Sequence, residues 1–149
     1  MKKKIQKMYQ DYGFGFPVTL LNVQMVETRG EWVPEINQKE LQERVIEALV
    51  LKHSHLTGSE VRFIRLFSEM TLEQFAERFD VTHPAVLKWE KTKSHATGMA
   101  WTTEKDIRLF AMKQLAPKAQ EFVDVYEQLT DVAHERPESI KIDLEKRSA

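Results

Sequence analysis

Helix-start signals repeat at short intervals from Thr57 onward, and this spacing constrains the fold more than any other feature of the chain. The signals are threonines: Thr57, Thr71, Thr82 and Thr103. Two of them match the capping box, because Glu60 and Gln74 lie three residues further on and can reach back to the backbone N–H of the threonine. The pattern predicts short helices over residues 58–68, 72–79, 83–90 and 104–115.

Each predicted helix carries an apolar stripe that is typical of burial in a shared core. The stripes are Val61, Ile64 and Phe67; Phe75 and Phe79; Val86 and Trp89; and Ile107 and Ala111. Pro117 ends this series, and one more amphipathic helix is marked by Phe122, Tyr126, Leu129 and Ala133. After Pro137, apolar and charged residues alternate over Ile140, Ile142 and Leu144, which indicates either a short strand or a charged tail. We favour the tail.

The part of the chain before Thr57 predicts a small β-hairpin. Residues 16–26 are rich in β-branched and apolar residues, and their two-residue alternation changes face between Leu20 and Leu21, as at a bulge. A turn at residues 28–30 leads to a return strand near Pro34. That strand must be an edge strand, because proline has no N–H to donate to a neighbour.

A hairpin alone is unstable in water and needs a covering helix. Residues 39–52 supply one, with a cap near Asn37 and an apolar face that includes Leu41 and Val45. Residues 53–55 then interrupt the periodicity and predict a domain joint. Residues 1–10 carry four lysines and no acidic residue, so we interpret them as a basic arm.

Residues 71–90 match the pattern of a helix-turn-helix, in which the second helix lies in the major groove of DNA. Small Ala76 allows a close helix crossing, Val81 fills the turn, and Val86 with Trp89 anchors the second helix. An ordinary helical hairpin explains these apolar positions equally well. It does not explain why the outward residues at the start of the second helix include no carboxylate.

Composition excludes several classes of protein. The chain has 149 residues, no cysteine and five glycines, so disulfides, thiol nucleophiles and thiolate zinc sites are excluded. There is no phosphate-binding glycine loop and no nucleophile elbow, and the histidines have no recognised ligand spacing. We expect neither an enzyme, nor a metal, nor a cofactor. No apolar run approaches the roughly 18 residues of a membrane span, so we expect a bacterial cytoplasmic, nucleoid-associated protein.

Residues 57–110 resemble the Cro/repressor (XRE) helix-turn-helix family. Within that family, residues 56–65 followed by Val81-Thr82 and Trp89-Glu90 are similar to the MqsA-type antitoxins. The sequence of residues 18–23 and the predicted hairpin also fit the N-terminal domain of those antitoxins, so the resemblance covers roughly residues 9–112.

The resemblance implies a mainly α fold in three parts. Residues 1–53 would form a small α+β domain with a β-hairpin and one helix, which binds a toxin or supports a dimer. Residues 54–116 would form a five-helix, phage-repressor-like DNA-binding domain. Residues 117–149 would form a C-terminal helix and a charged tail.

The same pattern predicts the residues that touch DNA. The predicted base contacts are His83, Pro84, Ala85 and Lys88. The predicted phosphate contacts are Thr71, Leu72, Thr82, Lys91, Thr92 and Lys93. The resemblance further implies a structural ion pair between Arg65 and Glu90, which would orient the second helix against the first.

Two features depart from the family. The antitoxin hairpin carries zinc-bound cysteines, whereas this chain has none, so burial must hold its hairpin instead. The wider family usually has glutamine at the phosphate-contacting position where this chain has Leu72. Thr71 and the backbone amides at that helix start would then have to hold the DNA strand alone.

Our leading hypothesis is a homodimeric repressor that is also the antitoxin of a type II pair and binds its own double-stranded operator. Its partner would be a basic toxin of the mRNA-interferase type, held by the acidic ridge of Glu40, Glu43 and Glu47 and by the edge strand at Trp32. We expect the Phe16 and Trp32 side chains to be buried. Two alternatives stay open: an XRE regulator without a toxin, and a helical protein-interaction module that never contacts DNA.

Overall fold

The computed structural model describes residues 2–129 and 138–146, and within them the chain adopts an α+β fold. The elements are β1 (Lys3–Asp11), β2 (Val18–Thr28), β3 (Glu31–Pro34), α1 (Gln38–Val50), α2 (Gly58–Phe67), α3 (Leu72–Arg78), α4 (His83–Glu90), α5 (Trp101–Gln114), α6 (Ala119–Gln128) and β4 (Ile140–Asp143). The prediction of a mainly α fold therefore underestimated the sheet. Residues 54–116 contain four helices, where five were expected.

The four strands form one sheet around β2. Strand β1 pairs antiparallel with one side of β2. On the other side, β3 pairs antiparallel with Met25–Thr28, and β4 pairs parallel with Val18–Leu21. β3 therefore lies at an edge, as Pro34 requires.

Two strands were wrongly predicted to be irregular. The predicted basic arm is strand β1. Its lysines suggested an irregular segment, but an edge strand commonly carries lysines. The favoured charged tail is β4, where Ile140 and Ile142 are buried and Lys141 between them is exposed. A two-residue alternation over four residues is a weak signal, and its pairing partner lies more than a hundred residues earlier in the chain.

The predicted change of face in β2 is confirmed. Val18 and Leu20 are buried before the change, and Val23 and Met25 after it. The change occurs at Asn22, whose φ is +56°, and the register with β1 continues without an inserted residue, so this is not a bulge. The Asn22 side-chain amide donates to Asp143 Oδ1 over 2.8 Å, which lowers the pKa of the Asp143 carboxyl and joins β2 to the end of β4.

The hairpin between β2 and β3 turns at Arg29 and Gly30, which both have positive φ, as a tight two-residue hairpin requires. Phe16 is buried, as expected. Trp32 is not, because 36% of it is exposed and the Lys4 ammonium lies 4.4 Å from its ring centroid. A short edge strand gives the Trp32 ring no second layer to pack against.

Local cap chemistry fixes most helix starts. Asn37 caps α1, and the capping boxes at Thr57 and Thr71 are both complete. Thr82 caps α4 by accepting from Ala85 N. Thr103 is not a cap, because α5 begins earlier at Trp101 and its N-cap residue makes no side-chain bond. Glu104 in the first turn of α5 is buried and pairs with Arg108 one turn later at 2.7 Å.

The predicted joint at residues 53–55 is a buried junction. Arg108 of α5 donates to the carbonyl oxygens of Val50, Lys52 and Ser54, and the Lys52 ammonium contacts the Glu60 carboxylate at 2.7 Å. One hydrophobic core includes residues of all three predicted parts.

The C-terminal helix is present as α6, with Val125 and Leu129 buried, whereas Ala133 lies outside the described residues. None of the described helices is long and apolar enough to cross a membrane.

Candidate nucleic-acid interface

Helices α3 and α4 are joined by residues 79–82, of which Phe79 and Val81 pack against the core. Phe79 is buried, Val81 is half-buried against the core, and Val81 N donates to Ala76 O over 3.0 Å. Ala76 in α3 is only 3% exposed, as expected for a small residue at a helix crossing. The connection therefore fixes the angle between α3 and α4.

The start of α4 presents donors and an apolar surface to solvent, with no acidic residue in its first turn. Thr82, His83 and Pro84 are exposed, Ala85 is half-buried, and Lys88 is exposed one turn further on. The Thr82 hydroxyl oxygen accepts from Ala85 N over 3.2 Å, which leaves its proton for an outside acceptor. Three of the predicted base-contacting residues, His83, Pro84 and Ala85, thus lie in the first turn of α4, and Lys88 lies in its last turn.

The loop after α4 carries two exposed lysines, Lys91 and Lys93, which make no side-chain contact with the described residues. Thr92 between them is different. Its hydroxyl donor lies 2.8 Å from Trp89 O and 2.9 Å from His95 O, and its N–H donates to Trp89 O. The Thr92 hydroxyl and N–H therefore have no free donor in this structure, and its phosphate contact stays a prediction.

The start of α3 has fewer hydrogen-bond donors available to a phosphate than the start of α4. The Thr71 hydroxyl oxygen accepts from Gln74 N over 3.1 Å, so its proton is again available. Leu72 is half-buried against the core, and any phosphate contact there must come from its backbone. The capping box and the apolar side chain leave this helix start with few donors.

The predicted ion pair between Arg65 and Glu90 is present. Arg65 Nε lies 2.7 Å from Glu90 Oε2 and Arg65 Nη2 lies 2.9 Å from Glu90 Oε1, with both side chains about nine-tenths buried. Arg65 also donates to Met70 O before α3. A carboxylate at the C-terminus of α4 is unfavourable for the helix dipole, so a bidentate arginine is what stabilises it there. The pair fixes α4 against α2.

Replacing Glu90 with alanine should lower the free energy of unfolding by about 3 kcal/mol, because the buried Arg65 guanidinium loses its partner. Replacing Arg65 with methionine and Glu90 with leucine together should be close to neutral, since no unpaired charge remains. Urea denaturation measures both. A loss well below about 1 kcal/mol for Glu90→Ala would mean that the pair behaves as a surface pair.

Sequence reasoning missed Gly58, which sets how closely α2 approaches the end of α4. A Cβ at Gly58 would lie 2.3 Å from Trp89 O and 2.5 Å from Thr92 Oγ1. Gly58 N donates to His95 O and Ser59 N donates to Lys93 O. Glycine in the first turn of a helix was the available signal, since it weakens a helix unless another backbone approaches closely.

Sequence reasoning also missed Arg62 of α2, which is exposed and lies 3.9 Å from Glu90 Oε1.

The predicted acidic ridge forms one wall of a groove between α1 and the α5–α6 connection. Glu40 and Glu43 are exposed, Glu47 is half-buried, and Glu121 of α6 lies on the same groove. Among the described residues that line the groove, Arg44 is the one cation, and it donates to the carbonyl oxygens of Asp143 and Lys146. Trp32 lies on β3 and does not line the groove.

Comparisons with protein-family models, with curated proteins and with solved structures found no match.

Proposed function

We propose that this chain is a sequence-specific DNA-binding repressor, in which α3 and α4 act as a helix-turn-helix within a phage-repressor-like domain. The observation that carries the proposal is the exposed start of α4, which offers Thr82 and His83 to solvent with no carboxylate in its first turn, and Lys88 is exposed in its last turn. The opposite end of the helix is clamped by the Arg65–Glu90 pair. A rigid helix with free donors at its N-terminal end suits readout in the major groove.

In this proposal the residues divide into two groups. His83 and Lys88 donate to base edges, with Pro84 and Ala85 contacting the apolar edge of the site. Thr71, Thr82, Lys91 and Lys93 hold phosphates, together with backbone amides at the start of α3.

The formal net charge of −1 does not oppose DNA binding, because the local distribution of charge decides it. Residues 88–101 carry three lysines and one glutamate, and that glutamate is Glu90, whose charge is neutralised by Arg65. The surface around the end of α4 is therefore basic.

Replacing Lys88 with alanine should weaken binding to the chain's own upstream DNA by about 1–3 kcal/mol and relax base preference at one position, because a base-edge contact is lost. Fluorescence anisotropy with the natural site and with single-base variants measures both effects. Unchanged affinity and unchanged preference would show that α4 does not read bases through Lys88.

Replacing Lys93 with alanine should instead weaken binding to all DNA sequences alike and reduce the salt slope by about one unit, because one phosphate contact disappears. The matched control is Lys113→Ala, an exposed lysine in the last turn of α5. It should leave the slope unchanged. A loss of affinity confined to one DNA sequence would contradict a phosphate role for Lys93.

We further propose that the repressor acts as a homodimer and as the antitoxin of a basic, mRNA-interferase-type toxin. The observation that favours a toxin is the acidic groove of α1 and α6, in which the one cation, Arg44, is already engaged. An acidic surface of this kind speeds the capture of a basic partner. The edge strand at exposed Trp32 is a second candidate contact.

Co-purification with the product of the neighbouring gene tests the toxin proposal. Deleting residues 1–53 is unsuitable because it opens the shared core, so charge reversal is the sharper change. We expect the ridge variant Glu40→Lys/Glu43→Lys/Glu47→Lys to lose the partner and keep DNA binding. The control reverses three exposed residues elsewhere: Glu69→Lys/Glu73→Lys/Glu77→Lys. A ridge variant that still captures the partner would move the toxin site away from α1.

A further inference from the structure

A cavity of about 490 Å³ lies beside the loop that follows α4 and shares Lys93 with the proposed DNA interface. Four separate parts of the chain form it: the turn between β1 and β2, the start of α2, the loop after α4, and the residues before β4. Phe16 and Pro17 give it an apolar wall, and Ser59 and Ser94 add hydroxyl groups. Its size and its mixture of apolar and sparse polar lining are those of a small-molecule site.

The charges around the cavity leave two cations available. Glu60 is neutralised by Lys52 at 2.7 Å, and Glu90 by Arg65. Arg62 Nε makes only a long ion pair of 3.9 Å with Glu90 Oε1, because Arg65 already holds that carboxylate at 2.7 Å, and Lys93 makes no ion pair among the described residues.

Among the described residues that line the cavity, one carboxylate without a cationic partner opposes Arg62 and Lys93. It is Glu138, which is exposed and whose backbone N–H donates to Ser54 Oγ. The available charge is therefore net positive.

The inference does not depend on the N-terminus of α2. The first N–H groups of that helix are occupied, since Gly58 donates to His95 O, Ser59 donates to Lys93 O, and Glu60 donates to Thr57 Oγ1. An anion in the cavity would have to be held by side chains.

We propose that this cavity binds a small amphipathic organic anion. Its apolar part lies against Phe16 and Pro17, and its carboxylate, sulfonate or phosphate group is held by Arg62 and Lys93. Charge-assisted hydrogen bonds from these two side chains select the anion, and the apolar wall excludes inorganic ions of the same charge.

A regulatory consequence rests on the proposed function. Lys93 is a phosphate contact in that proposal, so the anion and DNA compete for the same ammonium group. Occupation of the cavity lowers the affinity for the operator. The binding proposal itself needs no DNA, and its test uses none.

Fluorescence titration with anilinonaphthalene sulfonate tests the cavity, because this probe combines apolar rings with one sulfonate. Phenylnaphthylamine, with the same rings and no charge, is the matched probe. We expect saturable binding of the sulfonate probe to the full chain. The variant Arg62→Gln/Lys93→Gln should weaken the sulfonate probe about tenfold and change the neutral probe by less than about twofold.

Two further variants sharpen the test. Lys88→Gln removes the same charge from α4 outside the cavity and should change neither probe. Glu138→Gln removes the opposing carboxylate and should strengthen the sulfonate probe about twofold to threefold. All three variants replace exposed side chains, so folding is preserved.

The proposal is overturned if the wild-type chain shows no saturable binding, if both probes weaken equally in the double variant, or if Lys88→Gln weakens the sulfonate probe as much as the double variant does. Failure of DNA binding with intact probe binding overturns the proposed function and leaves the cavity assignment standing.

Discussion

Replacing Arg108 with methionine is expected to lower the free energy of unfolding by about 4 kcal/mol, the largest loss of any single polar substitution in this chain. The Arg108 side chain is fully buried, and its Nε and Nη2 contact Glu104 Oε2 at 3.1 and 2.7 Å. Methionine fills similar space without charge, so the buried Glu104 carboxylate would keep only His55, at 3.2 Å, as a side-chain partner.

Arg108 also serves backbone groups that no other described residue reaches. It donates to the carbonyl oxygens of Val50, Lys52 and Ser54, where α1 ends and the chain crosses to α2. The carbonyls at the end of a helix have no partner within the helix and must find donors elsewhere. A single guanidinium meets this need and also pairs with Glu104.

This double role separates Arg108 from an ordinary buried pair. Replacing Glu104 with leucine in the Arg108→Met background removes the unpaired charge and should recover part of the loss. It should not restore wild-type stability, since the three buried carbonyl oxygens still lack the donor that Arg108 supplied. Urea denaturation followed by circular dichroism measures the series. Full recovery in the double variant would show that the carbonyls find other donors.

Arg108 illustrates what the sequence leaves undetermined. Arg108 directly follows the predicted stripe residue Ile107 and lies three residues before Ala111. Only the apolar residues of this helix were used to predict the core. Nothing within α5 indicates that an arginine there will be buried. The reason lies more than fifty residues earlier, in the carbonyl groups at the end of α1.

Helix starts were predicted well because the residues that determine them lie close together in the sequence. A capping box such as Thr57 with Glu60 holds its information within four residues, and so does the Thr82 cap. The two missed strands depend on distant pairing instead. β4 forms because the edge of β2 at Val18–Leu21 is open to pairing. The sequence near Ile140 contains no information about that edge.

The candidate interface shows the same division. The exposed residues of α4 follow from its own cap and stripe, and the sequence predicted them. The sequence did not indicate that the Thr92 hydroxyl donates to Trp89 O and His95 O, which a turn brings close to it. Gly58 was overlooked because its neighbour, the end of α4, lies thirty residues away in the chain.

Replacing Gly58 with alanine is the second substitution with a large expected effect, and local propensity predicts the wrong sign. Alanine should stabilise the first turn of α2 by up to about 1 kcal/mol relative to glycine. The added Cβ would lie 2.3 Å from Trp89 O and 2.8 Å from Glu90 O, which are backbone atoms that cannot rotate away. We therefore expect a net loss of about 3 kcal/mol, at the upper end of the cost of overpacking.

The matched control is Gly13→Ala, in which the new Cβ meets only Asp11 Oδ1 at 3.1 Å. That atom is the end of an exposed side chain, so the cost should stay below about 1 kcal/mol. Thermal and urea denaturation of the two variants measure the difference. Because the clash pushes the end of α4 away from α2, Gly58→Ala should also weaken DNA binding at temperatures where it stays folded, whereas Gly13→Ala should not. Equal stability of the two variants would mean that α4 shifts freely against α2. The proposed base readout would then lack the rigid placement of α4 on which it depends.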